Sequence, residues 1–211
     1  MKLYDSKPAP NPRRVRIFLA EKGMPLAGGN IERIEVDIAR GEQRNEAALV
    51  RNPLGQIPVL ELDDGTCISE SVAICRYFEG MHPEPPLFGA DPVAQGLVEM
   101  WSRRVEFGLL GPVGVAWRNG PIVARMAPGR FRQNEQAKED AEEAARRFYR
   151  RLDGWLAERA FLAGEDYSIA DITTLCTVDF ATALVDLAPD PALSHLARWH
   201  AEVSARPSAK A

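Results

Sequence analysis

A chain of 211 residues, 45% hydrophobic and 27% charged, is long enough for one large domain or two small ones, each with its own core. The formal net charge of −4 lacks the basic footprint that nucleic acid requires, so no nucleic-acid partner is expected; an acidic chain can still hold an anion at a helix start. The opening Met1-Lys2-Leu3-Tyr4-Asp5 turns polar at once, unlike a secretory leader. The most apolar stretch, residues 169–188, carries Asp171, Asp179 and Asp186, which argues for a buried soluble helix over a membrane span. A cytoplasmic protein with no membrane partner is the expectation.

In chain order, Lys2-Leu3-Tyr4 is a brief extended start that leads into the proline-rich turn Pro8-Ala9-Pro10-Asn11-Pro12. Asn11 followed by Pro12 reads as a helix N-cap with proline at the first helical position. Val15, Phe18 and Leu19 supply an apolar stripe, and Gly23 stands where the helix should stop. Residues 31–38 alternate, with Ile34, Val36 and Ile38 on one face, and predict a strand. A short helix follows over 46–51. Residues 57–62, the turn Asp63-Asp64-Gly65 and residues 66–68 predict a hairpin, and 71–78 a helix. The order βαβαββα describes a small mixed α/β sheet with helices packed on it.

The run Met81-His82-Pro83-Glu84-Pro85-Pro86 marks a boundary. It separates a domain over 1–80 from one over 91–211, with 81–90 as linker. Beyond it strand signals vanish and an all-α domain is predicted. Asp91-Pro92 begins a helix running towards Phe107, where Gly108, Gly111 and Pro112 loosen the pattern. Gly120-Pro121 and Pro128-Gly129 bracket an expected loop. Residues 136–156 form an amphipathic helix with Ala141, Ala145, Phe148, Leu152 and Trp155 on one face. Glu142–Arg146 and Glu143–Arg147 are favourable pairs on the other, each worth a few tenths of a kcal/mol, roughly; this charge run is a solvated face. The three cysteines, Cys67, Cys75 and Cys176, make no CxxC pair and are expected to be reduced thiols. His82, His195 and His200 lack ligand spacing with a cysteine, so no metal is expected.

Three segments, Asn52-Pro53-Leu54-Gly55-Gln56-Ile57-Pro58-Val59-Leu60, Glu70-Ser71-Val72-Ala73-Ile74 and Ser168-Ile169-Ala170-Asp171-Ile172, resemble the glutathione transferase family in content, order and spacing. Leu3-Tyr4-Asp5 and Arg14-Val15-Arg16-Ile17-Phe18-Leu19-Ala20-Glu21-Lys22 are most similar to bacterial relatives of the fungal second-type (theta-like) transferases. The resemblance covers essentially the whole chain. It implies an N-terminal thioredoxin-like domain that holds glutathione as co-substrate, followed by a helical domain shaping the pocket for a small electrophile. It also implies a homodimer.

Within that resemblance each motif has a physical reason. The family implies that Ile57-Pro58 is cis and that the Ile57 backbone pairs with the cysteinyl part of glutathione like an added strand. Ser71 and the helix start it opens would hold the γ-glutamyl carboxylate, with Glu70 meeting the ammonium group. Without the family match these are an ordinary helix cap and an exposed Glu. Gln43 falls where relatives place a polar contact to the glycyl end, and Gln56 is expected to be a further contact to glutathione. Ser168 to Asp171 has capping-box spacing, with Tyr167 and Ile172 placed for a hydrophobic staple, a stabilising rather than a catalytic element. Arg104, Phe107 and Trp117 fall on or near the segment lining the second-substrate pocket, expected against the Pro8–Pro12 loop. A surface salt bridge explains Arg104 as readily, and Trp101, at helical spacing with Leu97, reads as core.

Transferases of this family lower the pKa of the glutathione thiol because the thiolate is the nucleophile. Alignment with relatives puts Ala9 at the usual serine position, and Ala9 has no donor to offer. Asn11, at the helix start, is the favoured substitute through its amide. Ser6 is the second candidate catalytic residue, Tyr4 reads as core, and the helix dipole with a held water is the remaining route. The competing functions are a glutathione-dependent peroxidase or disulfide reductase and a non-catalytic glutathione-binding carrier.

Overall fold

Two units account for the chain: Met1–Pro86 together with Pro207–Ala211, and Leu87–Arg206. The computed structural model describes residues 1–24, 26, 29–126, 128–129 and 131–211.

In the first unit the order is β1 (Lys2–Asp5), α1 (Pro10–Glu21), β2 (Glu32–Glu35), a 3-10 turn (Glu42–Arg44), α2 (Glu46–Arg51), β3 (Val59–Glu61), β4 (Cys67–Ser69) and α3 (Ser71–Met81). The sheet runs β2-β1-β3-β4, with β1 parallel to β2 and the β1–β3 and β3–β4 pairs antiparallel. This is the thioredoxin-like arrangement expected from the sequence. Leu3 and Leu60 from the sheet, Val15, Phe18 and Leu19 from α1 and Ile74 and Phe78 from α3 are buried together as its core. The strand expected over 31–38 is shorter because only residues 32–35 find partners on β1; Ile31 and Val36 are buried, while Ile34 and Ile38 are half-buried.

The start of α1 departs from expectation. Ala9 is the N-cap, in extended backbone (φ −83°, ψ 134°), and makes no side-chain cap; Pro10 is the first helical residue and Asn11 the second. A proline forces its predecessor out of the helical region, which Ala9 obeys. Pro12 sits in the first turn, where its missing N–H is not required by the helix. Buried Lys22, after α1, is held by the Pro83 and Pro85 carbonyls and the Glu79 carboxylate. Residues 207–211 return to this unit: Arg13 donates to the Ala209 carbonyl at 3.0 Å and Ser208 bonds Glu21.

The second unit is all helix: α4 (Pro92–Val105), a π-helical turn (Glu106–Leu110), α5 (Gly111–Arg118), α6 (Pro121–Met126), α7 (Glu135–Leu156), α8 (Ile169–Leu184) and α9 (Ser194–Ser204). The segment expected as a loop between Gly120 and Pro128 is helical over 121–126, since a proline after the break is well placed to begin a helix. On α7, Ala141, Ala145, Phe148 and Leu152 are buried, and Trp155 is half-buried with its ring edge on Trp101, 4.9 Å between centroids. Trp101 is core, as expected, whereas Leu97 is exposed.

Helix α8 lies at the centre, with 169–178 wholly buried. Its start carries the predicted capping box, and Tyr167 and Ile172 are both buried. Asp171 accepts the Ser168 N–H and O–H through one oxygen and the Leu162 N–H and the Trp199 indole N–H through the other, all at 2.9–3.1 Å. Burial pushes its carboxyl up, to about 6, against the downward pull of those bonds. The cysteines are free thiols, Cys75 and Cys176 buried and Cys67 half-buried. Among the described residues no helix is long and apolar enough to cross a membrane.

Candidate functional site

Val59 pairs with Ser69 and with Tyr4, so the residues just before β3, just after β4 and just after β1 leave the sheet at one end. That geometry gathers Ile57 and Pro58, Glu70 and Ser71, and Ser6 on one edge of the first unit. The Ile57–Pro58 bond is cis, as the motif implied. Pro58 is buried, Ile57 half-buried and Gln56 exposed.

The loop before β3 is tied from within. The Asn52 side chain donates to the Gln56 carbonyl at 2.8 Å and accepts from the Leu54 N–H at 3.1 Å. Gly55 has φ +60°, and a Cβ there would meet Arg44 Cγ at 3.0 Å and the Gln43 carbonyl at 3.3 Å. The turn holding Gln43 is therefore packed directly on this loop, which brings Gln43 beside Gly55 and Gln56. Gln43 is 7% exposed, and its Oε1 is buried with no hydrogen-bond partner among the described residues. A buried amide oxygen without a donor costs about 1–3 kcal/mol, which marks a place where a ligand N–H is favoured.

At the start of α3, Glu70 is the N-cap residue with φ 68°, a left-handed backbone that a non-glycine residue adopts at a cost of about 1–3 kcal/mol. Its side chain makes no cap, so the amides of Ser71, Val72 and Ala73 precede the first intrahelical bond, Ile74 N–H to the Glu70 carbonyl at 3.0 Å. Behind them lies Arg14 of α1, 3% exposed, whose Nη1 donates to Ser71 Oγ at 2.7 Å. Since that oxygen accepts from Arg14, the Ser71 hydroxyl proton is left to point elsewhere. A guanidinium, a hydroxyl proton and a helix start converge on one spot, and an exposed carboxylate stands next to it. This arrangement suits the zwitterionic end of an amino acid.

Arg14 is the functional residue that local patterns missed. It is 57 positions from Ser71, and within α1 it reads as one more cation on a helix.

The front of α1 is spare in donors. Pro10 and Pro12 carry no N–H, and the Arg13 N–H is bonded to the Ala9 carbonyl, so the first turn offers the Asn11 N–H alone. Asn11 is half-buried, and its Oδ1 is buried with no partner among the described residues. Ser6 is buried, and its carbonyl accepts the Ala9 N–H at 3.2 Å. Tyr4 is not core as expected: it is half-buried, its hydroxyl donates to Glu61 at 2.7 Å and the Arg51 guanidinium covers its ring at 4.0 Å. Burial and the Glu61 bond push its phenol up, so Tyr4 keeps its proton.

In the second unit, Arg104, Phe107 and Trp117 are not joined by any hydrogen bond or ring contact. Arg104 lies over Trp101 at 4.7 Å and Trp155 at 6.0 Å, a cation–π placement that accounts for it without a ligand. Phe107, in the π-helical turn, is 77% exposed. Trp117 tilts against Phe180 at 5.8 Å, and its indole N–H is buried with no acceptor among the described residues.

Models of the glutathione S-transferase N-terminal domain and C-terminal domain match residues 9–81 and 118–207. Glutathione S-transferase 2 of Saccharomyces cerevisiae is 34% identical over 215 residues, spanning 100% of this chain and 88% of that protein. Elongation factor 1-gamma of Homo sapiens is 34% identical over 135 residues, but that match takes in 64% of this chain and only 28% of the factor. Among solved structures, a glutathione S-transferase domain-containing protein from Marinobacter aquaeolei VT8 superposes with a TM-score of 0.87 at 37% identity, over 99% of each chain. Gtt2 from Saccharomyces cerevisiae gives 0.88 at 34% identity, over 100% of this chain and 99% of that one.

Proposed function

This chain belongs to the glutathione S-transferase family, and we propose that it joins the glutathione thiolate to a small hydrophobic electrophile. The observation that carries the reading is the buried Arg14–Ser71 pair at the uncapped start of α3, beside Glu70. Ser71, fixed as acceptor by Arg14, donates its proton to the γ-glutamyl carboxylate, and the α3 amides take the remaining lone pairs. Glu70 meets the ammonium group. The Ile57 backbone pairs with the cysteinyl unit, Gln43 Oε1 accepts a peptide N–H of the ligand, and Gln56 contacts the glycyl end.

The thiol then lies towards the front of α1. A free thiol titrates near ~8.5, and stabilising the thiolate by about 3 kcal/mol brings it down about two units. The Asn11 N–H, the Asn11 side-chain amide and the positive end of α1 supply that stabilisation, and the thiol proton leaves to solvent. Donors favour the thiolate whereas an acceptor favours the thiol, so Asn11 must present Nδ2 to the sulfur and keep Oδ1 turned away. The sulfur lone pair forms a bond to the electrophilic carbon of the second substrate, and the displaced electron pair departs with the leaving group, the halide in the case of an aryl halide. A homodimer belongs to the same reading, and the exposed apolar Val50 and Leu54, at 82% and 61%, are candidates for burial in it.

The test is the ultraviolet thiolate difference spectrum of bound glutathione followed against pH, for the wild-type chain and Asn11→Ala. A thiolate band well below the free thiol's pKa, shifted upward in the variant, is expected; an unshifted band removes Asn11 from the mechanism. Ala9 at the N-cap, without a donor, favours a second reading as a glutathione carrier or a peroxidase. Calorimetric binding with no thiolate band supports the carrier. Turnover of a peroxide in preference to an aryl halide supports the peroxidase.

A further inference from the structure

One residue of α1 after another points to a different place, because the helix turns about 100° per residue. Arg14 faces Ser71, whereas Arg13, Arg16 and Ala20 share the opposite side and form the floor of a separate cavity of about 640 Å³. Lys7, Arg33 and Leu26 wall it, and Ala209, Lys210 and Ala211 close it. None of the residues assigned above to glutathione lines it.

Every lining side chain is cationic or aliphatic, in a chain whose net charge is −4. The carboxylates that touch these walls are few. Buried Asp5 is shared by Arg16 and Arg33, Glu35 takes Arg33, and Glu21 bonds Ser208 of the closing segment. Lys7, Arg13, Arg16, Arg33 and Lys210 are five cations against those three acids and the terminal carboxylate of Ala211, so that among the described residues the walls keep one positive charge in surplus. Among the described residues the ammonium groups of Lys7 and Lys210 have neither an ion-pair nor a hydrogen-bond partner, and both residues are exposed. The volume falls within the range of small-molecule pockets, about 300–1,000 Å³.

We propose that this cavity binds a phosphate monoester with an aliphatic body, at a site separate from that of glutathione. A phosphate monoester carries a charge of about −1.5 to −2 at neutral pH, which the unpartnered ammonium groups of Lys7 and Lys210 meet, and guanidinium forks suit its oxygens. Ala20, Leu26, Ala209 and Ala211 receive the aliphatic part.

Octyl phosphate is the probe, titrated calorimetrically into the full chain at neutral pH and low salt, beside inorganic phosphate and glutathione. Octyl phosphate should bind one to one and more tightly than inorganic phosphate. The double variant Lys7→Ser/Lys210→Ser, altered only at exposed positions, should weaken it by at least about tenfold, the loss of charge-assisted hydrogen bonds. Its glutathione affinity should stay at the wild-type value. Absence of binding, equal affinity for inorganic phosphate, or indifference to the double substitution overturns the proposal. A parallel loss of glutathione affinity overturns it as well, because the cavity then belongs to the glutathione site. Should the wild-type chain fail to bind glutathione at all, the transferase reading fails while the octyl phosphate result stands by itself.

Discussion

Asp171 offers the sharpest quantitative test of how the helical unit is held together. Replacement by alanine leaves the Leu162 N–H, the Ser168 N–H and the Trp199 indole N–H buried without an acceptor. At about 1–3 kcal/mol for each orphaned donor, the gross cost is roughly 3–9 kcal/mol. Against it stands the relief of no longer burying a charge. Burial pushes the carboxyl up to about 6 from its ordinary value of 3.8, a penalty of about 3 kcal/mol for the ionised form at neutral pH. The net loss for Asp171→Ala at neutral pH is therefore about 3 kcal/mol, within a range of roughly 0–6.

The pH dependence carries the decision. Between 3.8 and about 6 the folded state binds more protons at Asp171 than the unfolded state does. Its contribution to stability is greatest below that window and falls as pH rises through it. Asn cannot titrate, so wild type minus Asp171→Asn should grow by about 2.4 kcal/mol in favour of wild type on going from neutral pH to about pH 4. All four tryptophans, at 101, 117, 155 and 199, lie in the helical unit, so urea unfolding followed by tryptophan fluorescence reads that unit alone. A difference that is flat, or that shrinks towards acid, would mean that the four hydrogen bonds outweigh burial, and the reasoning would be refuted.

Ser71→Ala removes both the acceptor for Arg14 and the donor to the ligand carboxylate, and glutathione affinity by calorimetry should fall roughly tenfold to a hundredfold. Unchanged affinity would take Ser71 out of the site. Ala9→Ser places a hydroxyl at an N-cap already in extended backbone, with the Asn11 N–H available to it. Stabilisation of about 1 kcal/mol is expected, read as roughly fivefold slower hydrogen exchange of the α1 amides. Gly108→Ala would bring a Cβ to 2.2 Å from Phe148 Cε2, where the ring is buried on Trp155. The helical unit should lose about 1–3 kcal/mol in urea unfolding, and a silent substitution would show that Phe148 has room to move.

Much of this molecule was legible in its sequence, and the failures have physical causes. The hairpin over 57–69 and the capping box at Ser168 were visible because each is local: a turn, an alternation, a spacing of three. The start of α1 lies two residues before the one that Asn11–Pro12 signals, because Pro10 also suits the first helical position even though Ala9 supplies no cap, and a second proline is tolerated inside the first turn. The helix over 121–126 was hidden by breakers on both sides, one of which begins it. Tyr4 was taken for core because a strand aromatic usually is; only the pairing of β1 with β3 brings Glu61 to its hydroxyl. Arg14 beneath Ser71 and the left-handed backbone at Glu70 have no local signature, since both follow from how α1 and α3 meet the sheet. For Arg104 the sequence offers only its place in the chain, and the Trp101–Trp155 pair beneath its guanidinium is a tertiary fact.

The two prolines at the front of α1 bear on selectivity. With Pro10 and Pro12 silent, that helix end has a single amide to give, whereas the end of α3 has three in succession and a hydroxyl. A carboxylate or phosphate spreads its charge over several oxygens and is poorly served by one donor. A sulfur anion concentrates its charge on one atom and loses nothing by the restriction. The count of amides at each helix end thus acts as a sorting rule, sending the multi-oxygen end of a ligand to α3 and leaving α1 for a one-atom anion.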